Sequence, residues 1–307
     1  MSQSVFQSLV LMILLASGFI AGKTKVLSPE AVRGISRFVA NFTLPALIVV
    51  SMQKPFSPEL RDEAFAILGI STAIYVTALP LSFLWARLIR SRGAEQGAHE
   101  FGASFPNVAF MGFPIMAALF GKDCLFSVSI YNIPFQLLVF SVGIMMVMRG
   151  KEGSAKLSIG TFVSPGILAA VIGFAFFLGS VRLPNLLFVS LEALGDITTP
   201  LSMAVIGATL ARMDMKSILG NPRVYLTTVY RLALHPLAIW IVLYVLGVRG
   251  RNLYVPVVIA AMPVAANATI LADAYGGDSQ TASSLVFVST VASLVTIPAL
   301  AWALFGV

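Results

Sequence analysis

The sequence predicts an all-α polytopic membrane protein of ten transmembrane helices, and three observations predict it. Of 307 residues, 58% are hydrophobic and only 11% charged, whereas soluble domains carry roughly 25% charged and about 45–50% apolar residues. The apolar residues gather in ten runs of about the 20-residue length that crosses a hydrocarbon core about 30 Å thick. The basic residues fall between those runs, and their density alternates from one loop to the next.

Span 1 is Val5–Ala21. It has no positive n-region, and Lys23 and Lys25 follow the run instead of preceding it, so it reads as a membrane helix and not as a signal peptide. Span 2 is Gly34–Met52, span 3 Ala64–Leu88, span 4 Ala98–Phe120 and span 5 Leu125–Met148. The second half repeats this rhythm: span 6 is Ile159–Gly179, span 7 Leu186–Leu210, span 8 Val224–Leu246, span 9 Leu253–Tyr275 and span 10 Ala282–Phe305.

Orientation follows from the loops. Loops 1–2, 3–4, 5–6 and 7–8 carry Lys23, Lys25, Arg33, Arg37, Arg87, Arg90, Arg92, Arg149, Lys151, Lys156, Arg212, Lys216 and Arg223. The opposite side carries Lys54, Arg61, Lys122, Arg182, Arg249 and Arg251, and Arg231 lies inside span 8. Cytoplasmic loops carry the excess of Lys and Arg, which places both termini on the non-cytoplasmic side of the cell (inner) membrane. The same scatter accounts for the net charge of +7. No basic stripe with interleaved aromatics tracks a nucleic acid.

A shift of 155 residues superimposes Gly18 on Gly173, Thr43 on Thr198, Pro45 on Pro200, Gly121 on Gly276 and Asp123 on Asp278, with Asn41 falling on Asp196. The constant offset predicts two five-helix repeats, residues 1–150 and 151–307, within one integrated membrane domain. Five is odd, so the second repeat enters the membrane from the opposite side, the inverted arrangement of many secondary transporters.

Spans 4 and 9 are the interrupted helices. Span 4 carries Pro106, Asn107, Gly112 and Pro114 within nine residues of its centre, and span 9 carries Pro263 followed by Asn267. Prolines remove backbone donors and clash with the preceding turn. Broken helices in matching positions of two repeats point to a binding site near the midplane. Kinked helices with buried asparagines that hold no ligand are the alternative reading. In spans 2 and 7, Asn41, Thr43 and Pro45 are answered by Asp196, Thr198, Thr199 and Pro200, polar groups able to bind freed carbonyls, an ion or a substrate hydroxyl.

An acid within a span is costly and usually functional, which makes Asp196 an ion- or proton-coupling candidate or else an interfacial carboxylate. Asp273 and His235 are further coupling candidates, read otherwise as a loop-edge carboxylate and a residue filling the Pro236 kink, and Glu192 reads as a solvated helix start. Arg231 suits a carboxylate through paired hydrogen bonds, and equally could snorkel or pair with an acid. In span 5, Tyr131, Asn132 and Gln136 form a polar patch that must face protein. The single Cys124 excludes an intramolecular disulfide. There is no P-loop, GxSxG elbow, HExxH or Cys/His cluster, so the chain reads as no enzyme, with no metal and no cofactor beyond H+ or Na+ as a coupling ion.

The run Phe105–Pro114 with Gly121, Arg231 with Pro236, Gly247–Gly250, Met262–Tyr275, Ser293–Pro298 and Pro165-Gly166 together resemble the auxin efflux carrier family, which includes plant auxin exporters and bacterial carboxylate transporters. The resemblance covers nearly the whole chain. It implies helices 4 and 9 crossing at their prolines and a scaffold of helices 1, 2, 6 and 7 that mediates a homodimer. It also implies a site at the crossover built from Pro106, Asn107, Pro263 and Asn267. The expectation is a secondary active, elevator-type carrier of a small organic anion, a dicarboxylate or an auxin-like weak acid. A substrate-gated channel or uniporter without ion coupling is the alternative, and a membrane sensor a more distant one.

Overall fold

In the computed structural model, residues 3–150, 164–213 and 220–307 are described. Lys151, Lys156, Lys216 and the predicted start of span 6 lie outside them. The described chain is helical, with one isolated antiparallel β-bridge, Pro106 to Val264. The elements in order are α1 (Gln3–Lys23), α2 (Pro29–Phe38), α3 (Leu44–Ser51), α4 (Pro58–Leu88), α5 (Gly93–Ser104), α6 (Phe113–Phe120), α7 (Leu125–Val139), α8 (Val142–Val147), α9 (Pro165–Leu178), α10 (Asn185–Asp196), α11 (Thr198–Leu210), α12 (Pro222–Val229), α13 (His235–Val245), α14 (Arg251–Ala260), α15 (Asn267–Tyr275) and α16 (Ser279–Phe305).

Among the described residues five continuous helical stretches are long and apolar enough to cross a membrane: Pro29–Ser51, Pro58–Leu88, Asn185–Leu210, Pro222–Val245 and Ser279–Phe305. Leu9–Lys23, Val108–Phe120 and Pro165–Leu178 are shorter apolar helices. Their outer faces are apolar: Leu88 is 72% exposed, Leu186 79%, Val245 79% and Trp302 72%. A water-soluble surface does not carry so many large exposed side chains; lipid accepts them.

Four helices begin with the same device. Ser28, Ser57, Ser164 and Asn221 are N-caps whose side chains accept from the backbone N–H of Ala31, Leu60, Ile167 and Arg223, and each is followed by a proline at the first turn. The cap satisfies an orphan donor, and proline lacks the N–H that would be unpaired there.

Three prolines inside longer stretches are accommodated differently. Pro45, Pro114 and Pro236 each follow a widened π turn, at Val39–Thr43, Val108–Gly112 and Tyr230–Leu234. In each, the residue before the proline donates five residues back: Leu44 to Val39, Phe113 to Val108 and His235 to Tyr230. The extra residue makes room for the pyrrolidine ring, and the helix continues.

The closest helix pair is α1 on α11. A Cβ on Gly18 would overlap the backbone of Ala204, one on Gly22 would overlap Ala208, and one on Gly207 would overlap the carbonyl of Leu15. Small residues let membrane helices approach backbone to backbone, and dispersion over that contact replaces the absent hydrophobic force. Gly207→Val should therefore cost about 1–3 kcal/mol of overpacking and lower the thermal unfolding midpoint in detergent. Gly69→Ala, where no atom lies within 4 Å, should leave it unchanged.

Candidate functional site

Two helical stretches are interrupted completely. After α5 ends at Ser104, residues 105–107 leave the helix, with Phe105 extended at φ −109° and ψ 106° and Asn107 at φ −78° and ψ 71°, before helix resumes at Val108. After α14 ends at Ala260, residues 261–266 break the helix until α15 begins at Asn267. The two breaks lie antiparallel. The Asn107 N–H donates to Pro263 O at 2.8 Å, and the Ala265 N–H donates to Phe105 O at 3.0 Å.

Further partners take other freed backbone groups. The Val264 N–H donates to the buried Ser289 Oγ of α16 at 3.0 Å, and that hydroxyl donates to Leu285 O at 2.6 Å. Asn107 Oδ1 accepts from the Phe110 N–H at 3.2 Å and so caps the resumed helix. Arg231, wholly buried, donates through Nη1 to Ala103 O at 2.9 Å and through Nε to Met262 O at 3.2 Å. One guanidinium thus caps the C-terminal ends of both interrupted helices, where unpaired carbonyls and the helix dipole favour a cation.

This placement corrects two expectations for Arg231. It does not snorkel, since none of it reaches the surface, and no acid pairs with it among the described residues. Both of its hydrogen bonds go to backbone carbonyls. Around it lie Tyr75 and Tyr131, both fully buried with rings 5.8 Å apart, their hydroxyls without a hydrogen-bond partner.

The other predicted residues are dispersed. Pro106, Asn107 and Pro263 are buried in the breaks, and Asn267 is half-buried at the first turn of α15. Asn132 and Gln136 are buried on α7; Asn132 Oδ1 has no partner, while Gln136 Oε1 accepts from Ser164 Oγ at 3.2 Å. His235 is buried and stacks on Tyr230 with ring centroids 5.7 Å apart. Thr43 and Thr198 are buried; Thr43 Oγ1 donates to Val39 O at 3.5 Å. Asn41 and Asp273 are exposed.

Asp196 stands apart. Its side chain is 49% exposed and forms an ion pair with Lys122 at 2.6 Å. The adjacent Asp123 pairs with Lys54 at 2.9 Å, and the hydrogen bond and charge of Lys54 hold the Asp123 carboxyl below its usual range. The turn between α6 and α7 is therefore clamped from two sides by opposite charges. It borders a cavity of about 870 Å³ among α1, α3, α6 and α10–α11, lined by Leu14, Leu47, Pro114, Lys122, Asp196 and Thr199. A narrow apolar pocket of about 30 Å³ shares Leu11, Ala118 and Leu119 with it and reaches Met111 and Ser293, one helical turn from Asn107.

Sequence reasoning missed Ser289, Tyr75 and the buried Glu100, which pairs with Arg149 at 2.8 Å. The small polar residues of α16 at helical spacing (Ser284, Ser289, Ser293) were the available signal, because such residues face other helices in membranes. Ser289→Ala leaves the Val264 N–H buried without a partner, at a cost of about 1–3 kcal/mol. A lowered thermal unfolding midpoint should register it, and Ser289→Thr, which keeps the hydroxyl, should recover most of the loss.

The chain matches the profile of the family described as membrane transport protein over residues 2–301. It is 30% identical over 302 residues to an uncharacterized transporter of Methanothermobacter thermautotrophicus, covering 97% of this chain and 96% of that one. It is 25% identical over 280 residues to a putative malonate transporter of Rhizobium meliloti, covering 88% and 86%. It is 34% identical over 101 residues to auxin efflux carrier component 3 of Arabidopsis thaliana, covering 32% of this chain and 15% of the plant protein. With its interrupted apolar helices and these relatives, the chain is a multi-pass membrane protein of the membrane transport protein family, that of the auxin efflux carriers.

Proposed function

We propose that the protein is a secondary active transporter that moves a small organic anion, a dicarboxylate or an auxin-like weak acid, across the inner membrane by elevator-type alternating access. The observation that carries this reading is the pair of antiparallel breaks, from which two helices, Val108–Phe120 and α15, set out from adjacent points. Each N-terminal end presents about half a positive charge and unpaired donors, a combination suited to a carboxylate. The relative named as a putative malonate transporter agrees with the sign of that charge.

In this reading the two halves are inverted five-helix repeats, residues 1–150 and 151–307, and the breaks are their crossover. Helices 1, 2, 6 and 7 of the ten form a static body that pairs with a second copy, and the remaining helices carry the site. The cavity between α1, α6 and α10–α11 is the entry path, with the Lys54–Asp123 and Lys122–Asp196 pairs at the boundary between the two bodies. Asn107 and Asn267 supply directional hydrogen bonds to the cargo, and H+ or Na+ supplies the driving gradient.

Uptake of labelled dicarboxylates and indole acids into proteoliposomes tests this. Initial uptake should rise when an inward H+ or Na+ gradient is imposed, and Asn107→Ala should reduce it by at least about tenfold, the worth of one hydrogen bond to a charged group. Uptake unchanged by Asn107→Ala places the site elsewhere, and uptake indifferent to both gradients favours a uniporter.

Orientation has its own test. In a Cys124→Ser background, cysteine at exposed Arg92 should react with an impermeant maleimide from the cytoplasmic side only, and labelling from outside would invert the topology.

A further inference from the structure

Arg231 is a full positive charge buried at the centre of the protein, with no carboxylate paired to it among the described residues. An unpaired charge in such surroundings is expensive and is retained where the charge itself is used. Its hydrogen bonds alone do not require charge, since a neutral amide also donates to carbonyls. Something beyond donor count accounts for an arginine here.

Four helix ends meet at the breaks. The C-terminal ends of α5 and α14 each carry about half a negative charge, and the N-terminal ends of Val108–Phe120 and α15 each carry about half a positive one. Left to themselves these four cancel, about −1 against about +1, and a site among them has little preference for either sign of cargo. Arg231 sits on both negative ends at once, 2.9 Å from Ala103 O and 3.2 Å from Met262 O. It neutralises those two ends and leaves the two positive ones uncompensated. The aromatic groups around it, Tyr75, Tyr131 and Tyr230, are phenols that add no opposing charge at neutral pH.

We propose that Arg231 determines the sign of the cargo: it is a positioning residue that makes the paired breaks select an anion, without itself touching the anion. The proposal rests on the anion reading given above and adds the source of that selectivity. It predicts a separation between charge and structure that a purely structural role would not show.

The experiment compares binding of malonate and of its uncharged isostere malonamide to purified wild-type, Arg231→Gln and Arg231→Lys proteins, with monodispersity and thermal unfolding recorded for each. Wild-type protein should prefer malonate. Arg231→Gln removes the charge and keeps an amide donor only near the Nε position, on the Met262 O side, so the malonate-to-malonamide ratio, not affinity alone, is the readout. This variant should lose on the order of tenfold or more in malonate affinity while malonamide changes by less than about threefold, as expected for removing a charge worth one to two helix ends. Arg231→Lys keeps the charge and should hold the wild-type malonate-to-malonamide ratio within about threefold, even with lowered stability.

A folded Arg231→Gln protein with the wild-type ratio overturns the role of Arg231 and leaves the anion reading standing. If the glutamine variant does not fold, the lysine variant decides: loss of the ratio in a folded lysine variant overturns the proposal, and its retention supports it. Wild-type protein that prefers malonamide overturns the anion reading itself, and the proposal with it.

Discussion

A helix interrupted inside a membrane frees backbone groups that no bulk water reaches, and each one left unpaired costs several kcal/mol. The architecture around the breaks is governed by that constraint. The two interruptions answer part of it by lying antiparallel and exchanging hydrogen bonds, Asn107 to Pro263 and Ala265 to Phe105. Part of what remains is met from outside: Ser289 takes the Val264 N–H, and Arg231 takes one carbonyl from each side. Arg231 on span 8 and Ser289 on α16 thereby fix two further helices against the breaks. A feature required by backbone chemistry dictates the packing of four segments.

The prolines at the π turns and those at the breaks act differently, and magnitudes separate them. At Pro45, Pro114 and Pro236 a widened turn absorbs the ring and the helix loses little hydrogen bonding. At Pro106 and Pro263 the helix stops altogether, which frees up to four donors and four acceptors at each interruption. The second solution is far more costly and needs an elaborate set of partners. What it provides, and a π turn does not, is a pair of helix N-termini starting side by side in the protein interior.

Much of the fold was legible in the sequence because hydropathy and proline placement are local signals. Predicted span 3, Ala64–Leu88, ends where α4 ends, and span 10, Ala282–Phe305, ends where α16 ends. The interruptions at Pro106 and Pro263 were visible as prolines beside asparagines. The partners were not, since pairing is a long-range property. Nothing local to Arg231 says that its acceptors lie at Ala103 and Met262, so it read as a substrate contact or a snorkelling cation. Asp196 read as an acid within a span, because its helix continues past it at Thr198, yet the adjoining cavity leaves it half exposed beside Lys122. Two interrupted helices present two sets of orphan carbonyls, and an intramembrane cation is their natural cap.

The account turns on the breaks being closed, held together by hydrogen bonds from Arg231, Ser289 and one another. Amide hydrogen exchange in lipid nanodiscs, resolved to the peptides covering residues 103–112 and 261–268, measures this directly. Within these segments the bonded amides of Asn107, Val108, Phe110, Val264 and Ala265 should exchange as slowly as those of the flanking helices α5 and α14. Exchange on the timescale of the exposed loop between α13 and α14 would mean that the breaks are open, and would contradict the account.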